Sequence, residues 1–139
     1  MGTRKNKQFV IENQIKELSS LAEKIEKIAE EWNLSPALAM NLNLVIEEAL
    51  SNIIFYAFND KNKHEIKISV SIDNKTLTIK ITDDGIPFNP LKHEQPDITL
   101  PAEERPVGGL GIFLMSQIMD EMHYTRNNNE NMLTLKKSI

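Results

Sequence analysis

Residues 65–85 read EIKISVSIDNKTLTIKITDDG, and this run decides the fold. Ile66, Ile68, Val70 and Ile72 alternate with polar residues, as do Leu77, Ile79 and Ile81 after the turn predicted at Asp73-Asn74. Alternation of period two marks half-buried strands, so the run predicts a hairpin with one apolar face that other elements must cover.

The cover lies upstream. Ile11, Ile15, Leu18, Leu21, Ile25, Ile28 and Trp32 recur at spacings of three and four, the period of an amphipathic helix, after a short strand predicted over Lys7 to Ile11. Lys16, Glu17, Glu23, Lys24, Glu26 and Lys27 occupy the opposite face. The heptad-like spacing of the apolar side could serve a partner helix or a homodimer, but packing on the domain's own sheet is the simpler use. Ser35-Pro36 starts a second helix, a capping side chain followed by proline at the first helical position, and the helix should run to about Tyr56. Asn59-Asp60-Lys61-Asn62 breaks it.

Downstream, Asp83 to Val107 holds five of the six prolines and no clear periodicity, which reads as a lid. Gly108-Gly109-Leu110-Gly111 then opens a helix with Ile112, Leu114 (or Met115) and Ile118 inward. A closing hairpin is predicted over Met122–Arg126 and Met132–Lys136, around Asn127-Asn128-Asn129. The order predicts one α+β domain over residues 1–139, with helices on one face of a mixed, mostly antiparallel sheet.

Composition narrows the function. The chain of 139 residues is 40% hydrophobic and 26% charged, an ordinary globular balance. It has no cysteine, which removes disulfide and thiolate chemistry and suits a cytoplasmic setting. A net charge of −4 speaks against nonspecific nucleic-acid binding. No run reads as the roughly 18–20 apolar residues of a membrane span, so neither membrane nor direct nucleic-acid partners are expected.

Three constellations carry chemistry. In Glu47-Glu48-Ala49-Leu50-Ser51-Asn52, about 100° per residue puts Asn52 near Glu48 and far from Glu47. Glu48 and Asn52 then border the apolar arc of Val45, Ala49 and Ile53. An amide oxygen is a hard ligand suited to Mg²⁺, and a carboxylate beside it could accept a proton from an attacking hydroxyl. A solvent-facing glutamate pair is the plainer alternative. Asp83-Asp84-Gly85 after a strand is an ordinary turn unless Asp83 accepts from an exocyclic amine and Gly85 leaves room for a flat base. Gly108 to Gly111 at a helix entry is either a hinge or a place where backbone N–H groups meet phosphate. It lacks the Gly-Lys-Ser/Thr of a Walker A loop. Arg105, four residues before Gly109, could reach a terminal phosphate, whereas His93 reads as an exposed loop residue.

In order and spacing, this set resembles the GHKL family of ATP-binding domains. Its short form is similar to the anti-sigma-factor serine/threonine kinases, and the resemblance covers nearly the whole chain. It implies the family's two-layer α/β sandwich, ATP and Mg²⁺ as cofactors, Glu48 as general base and Asn52 as Mg²⁺ ligand. It further implies that Asp83 and Gly85 hold adenine, while Arg105, Gly108, Gly109, Leu110 and Gly111 serve the phosphates. Pro87 stands where many members have a second glycine, Tyr56 where this branch often has histidine, and Glu130-Asn131 near a late Gly-Thr pair. The implied activity is phosphorylation of a small anti-anti-sigma-like protein, with a sigma factor as a second partner. An ATP-gated module that sequesters such a partner without turnover is the alternative. The catalytic part of a histidine kinase fits less well, because His64, His93 and His123 do not lie on a phospho-accepting hairpin ahead of the domain.

Overall fold

The computed structural model describes residues 4–92 and 109–139. Strand β1 (Arg4–Glu12) is followed by helices α1 (Glu17–Glu31) and α2 (Pro36–Tyr56), then by strands β2 (Glu65–Asp73) and β3 (Thr76–Asp83). A 3-10 turn at Pro90–Lys92, helix α3 (Gly109–Ile118) and strands β4 (Glu121–Asn127) and β5 (Glu130–Ser138) complete the chain. The strands form one sheet in the order β1-β2-β3-β5-β4. Among the described residues all four pairings are antiparallel, so no parallel pair enters there what the sequence left open as a mixed sheet.

The decisive hairpin forms as its alternation requires. Ile68 pairs with Ile81 and Val70 with Ile79, and the next strand continues both rows with Leu133 and Leu135. These side chains are buried with Ile66, Ile72 and Leu77 under α1, α2 and α3. The turn falls one residue later than predicted, at Asn74 and Lys75, both at positive φ (50° and 65°). Two successive left-handed residues make the hairpin turn whose twist matches its strands. Asn128 and Asn129, at 53° and 63°, close the second hairpin in the same way.

Helix α1 is shorter than its periodic pattern. Ile11 belongs to β1, whose parity places it on the covered face opposite Ile66, and Ile15 stays 44% exposed before the helix. The spacing from Ile11 to Leu18 imitates a helix across a strand end. The buried stripe of α1 is Leu21, Ile25, Ile28 and Ala29. At its end Asn33 takes φ 56°, Asn33 N–H donates to Glu30 O and Leu34 N–H to Ala29 O, which satisfies the last carbonyls.

The start of α2 falls where its sequence signal predicts. Ser35 Oγ accepts from Leu38 N–H at 3.2 Å and Pro36 opens the first turn. With 21 residues and a mean hydropathy of 1.3 over its most apolar stretch, α2 does meet the length and composition of a membrane span, contrary to the sequence reading. Its apolar residues are explained by burial instead: Leu42, Val45, Ile46, Ala49, Leu50 and Ile53 lie in the core beneath it. In α3 the open choice resolves to Met115, fully buried, over Leu114, 37% exposed, and Met119 just beyond the helix is buried as well.

Candidate functional site

On α2, Glu48 and Asn52 stand one helical turn apart, and Asn52 is buried to 1% exposure. Its Nδ2 donates to the backbone carbonyl of Glu48 at 2.8 Å, which turns the amide so that Oδ1 looks away from the helix backbone. That Oδ1 is buried and accepts no hydrogen bond from the described residues. Leaving such an acceptor unmatched costs about 1–3 kcal/mol, a cost that a group bringing positive charge or a donor would remove. Glu48 is half-buried. Burial, and then the charge of Glu47, raises its carboxyl above the ordinary glutamate range. A carboxylate pushed toward neutrality in this way is a better proton acceptor than a free one.

The second half of the site lies at the end of β3. The covered face of the sheet is apolar row after row until its last row, where Asp83 pairs in register with Asn131 of β5. Both are buried, at 2% and 3% exposure. Asp83 Oδ1 accepts from Gly85 N–H and from Asn131 Nδ2, each at 2.9 Å. Its carboxyl is raised above the ordinary aspartate range by burial first, while the hydrogen bonds from Asn131 and Gly85 work in the opposite direction.

Gly85 joins the two halves. Ile86 N–H donates to Ala57 O at 2.7 Å, just past the end of α2. A Cβ on Gly85 would meet that same oxygen at 2.2 Å. The glycine is therefore required by the close approach of α2 to the β3 end. Tyr56 and Phe88 add a ring contact across the same junction, with centroids 5.7 Å apart.

Three residues not assigned a role from sequence complete this corner. Asn131 Nδ2 also donates to Ile86 O at 2.8 Å. Its Oδ1 accepts from Phe88 N–H, the Tyr124 hydroxyl and Arg126 Nη1. Arg126 Nη1 donates to Gly85 O at 2.7 Å as well. The available signal was parity: Asn131 occupies the covered face of β5 with Leu133 and Leu135, a polar residue at a core position. Its partner was not legible, because that depends on register across three strands.

Of the remaining predicted residues, Gly109, Leu110 and Gly111 form the first turn of α3, which packs beside α2. Arg105, Gly108 and His93 lie outside the described residues. A cavity of about 850 Å³ at the opposite end of the sandwich, lined by Trp32, Leu34, Leu38 and Ile72 among others, contains none of the predicted residues.

The chain is similar to proteins of known kind. It is 29% identical over 111 residues to the serine/threonine-protein kinase BtrW of Bordetella bronchiseptica, covering 80% of this chain and 78% of that one. It is 28% identical over 92 residues to the serine-protein kinase RsbW of Bacillus velezensis (63% and 57% covered). For RsbW of Listeria monocytogenes the figures are 29% over 86 residues (59% and 55%). The chain thus spans little more than half the length of these RsbW relatives. Among solved structures, the histidine kinase AdeS of Acinetobacter baumannii superposes with a TM-score of 0.48 at 18% identity, over 96% of this chain and 67% of that one. The family described as the histidine kinase-like ATPase domain matches residues 11–137. By that match, which takes in the α2 pair, the β3 end and the α3 entry alike, the chain belongs to the histidine-kinase-like ATPase domain family.

Proposed function

We propose that this domain binds ATP with Mg²⁺ and transfers the γ-phosphate to a serine or threonine of a small regulatory protein, in the manner of the anti-sigma-factor kinases it resembles. The observation that carries the reading is the buried, unmatched Oδ1 of Asn52 one turn from a half-buried Glu48 with a raised carboxyl. An amide oxygen with no protein donor suits a hard cation, and Mg²⁺ commonly takes one or two protein oxygens with substrate phosphates and water as its other ligands. When bound, that ion supplies neutralisation of charge on the phosphate oxygens.

The chain's own residues do the rest. Asp83, held at the sheet end, accepts from the exocyclic amine of adenine, and Gly85 keeps that end docked on α2. The N-terminal turn of α3, with Gly109 and Gly111, offers backbone N–H groups to the phosphates, and Arg105 and Gly108 from the preceding segment act with it. Glu48 takes the proton of the attacking hydroxyl as the new O–P bond forms and the bond to the leaving diphosphate breaks. The named relatives are serine or serine/threonine kinases, which supports protein hydroxyls as acceptors. An anti-anti-sigma-like protein as acceptor and a sigma factor as second partner follow from the resemblance.

The test is calorimetric titration of ATP, with and without Mg²⁺, on the parent and on Asn52→Ala. The parent should bind more tightly with Mg²⁺, and the variant should lose that gain of about tenfold or more while still folding. Undiminished magnesium dependence in the variant removes Asn52 from the site.

A further inference from the structure

We infer that Asn131 is a positioning residue that sets which base the pocket takes, by occupying one oxygen of Asp83 so that the other is presented to an exocyclic amine. The inference rests on the ATP-binding reading above and adds to it the means of choosing adenine over guanine.

Asp83 and Asn131 face each other in register at the buried end of the sheet. Asp83 Oδ1 is filled twice, by Gly85 N–H and Asn131 Nδ2. Asp83 Oδ2 has no hydrogen-bond partner among the described residues. Asn131 can hold only one amide orientation. Its Oδ1 receives Phe88 N–H, the Tyr124 hydroxyl and Arg126 Nη1, while its Nδ2 meets two acceptors, Asp83 Oδ1 and Ile86 O. Reversing the amide would set donors against an amide N–H and a guanidinium, and an oxygen against a carboxylate and a carbonyl. Asn131 is therefore locked as a donor to Asp83.

The consequence is specificity. Adenine carries an amine where guanine carries a carbonyl, so an ionised carboxylate accepts from the first and repels the second. A protonated carboxyl could donate to the carbonyl instead, and the distinction would fade. Burial pushes Asp83 toward that protonated state, and Asp84 beside it adds to the push. Asn131 of β5, Gly85 N–H and Arg126 of β4 oppose it. Without the Asn131 donor the balance tips toward protonation, and the buried carboxyl also loses its fixed direction.

The experiment measures equilibrium binding of Mg-ATP and Mg-GTP across a pH series from acid to alkaline, with thermal melting at each pH. The proteins are the parent, Asn131→Leu and Asn131→Asp. Leucine keeps the shape and removes the donor; ATP affinity should fall about tenfold or more and the ATP-over-GTP preference should narrow, most at acid pH. Aspartate sets two carboxyls opposite each other. Sharing one proton restores a donor, so ATP binding should survive at acid pH and be lost as pH rises, a slope the parent lacks. If the leucine variant does not fold, the aspartate variant decides alone. A parent that binds ATP while both variants keep its base preference and pH profile would overturn the role of Asn131 and leave the ATP reading standing. A parent that binds no ATP would overturn both.

Discussion

Glu48 and Glu47 are neighbours with opposite surroundings: Glu48 is half-buried beside Asn52, and Glu47 is exposed. That difference follows from about 100° of rotation between them and is legible in the sequence. Only the folded chain gives the electrostatic result, because burial is the larger cause of the raised Glu48 carboxyl, ahead of the charge of Glu47. Glu48→Gln keeps the size and the hydrogen-bonding reach of the side chain and removes its ability to take a proton. ATP titration should then match the parent, while transfer of labelled γ-phosphate to an acceptor protein falls about 10²–10⁴-fold. Unchanged transfer would remove Glu48 from the proton step. Asn52 shows the same division: its position on the helix face was legible, its unmatched Oδ1 was not.

Among elements, the hairpins and α2 were the most legible, because each announces itself locally. Alternation fixes the buried face of β2 and β3, and Ser35-Pro36 fixes the start of α2. The boundary between β1 and α1 was less legible, since the strand's last core residue, Ile11, falls in phase with the helix behind it. The junction of α2 with the end of β3 could not be read at all. It depends on a backbone approach that only glycine permits, with the Cβ direction of Gly85 pointing at Ala57 O. Gly85→Ala should therefore separate the two elements and not merely narrow a pocket. We expect a loss of about 1–3 kcal/mol in denaturant unfolding, together with weakened ATP binding, because Asp83 sits two residues away. A variant with parent stability would mean the junction yields without cost.

At the scale of the molecule, the site end of the sandwich is tied across its layers by His64. Its Nδ1 lies 2.9 Å from Asp84 Oδ1 at the end of β3, and its Nε2 lies 2.8 Å from Asp60 Oδ1 in the loop after α2. Its backbone N–H donates to Asn13 Oδ1 and its carbonyl accepts from Asn13 N–H, which ties in the segment between β1 and α1. The ring stacks on Phe58 with centroids 4.8 Å apart. Two carboxylates on the two ring nitrogens require both to carry protons, so the tie is complete only as the imidazolium. The hydrogen bond that His64 donates to Asp60 is the main cause that raises the His64 pKa above its ordinary value, and the same contact lowers that of Asp60. A raised histidine pKa adds stability that is present in full below the unfolded value, about 6.5, and is lost as pH rises through the folded value. The lowered Asp60 sets the acid limit, since its share is lost as pH falls through its own folded value, below the ordinary aspartate range. His64→Phe keeps a ring against Phe58 and removes the charge. The melting temperature of the parent should exceed that of the variant most between about pH 4 and 6.5, and the gap should close at alkaline pH. A gap of constant size across that span would mean that His64 acts through packing alone and that its two carboxylates add nothing to the joining of the layers.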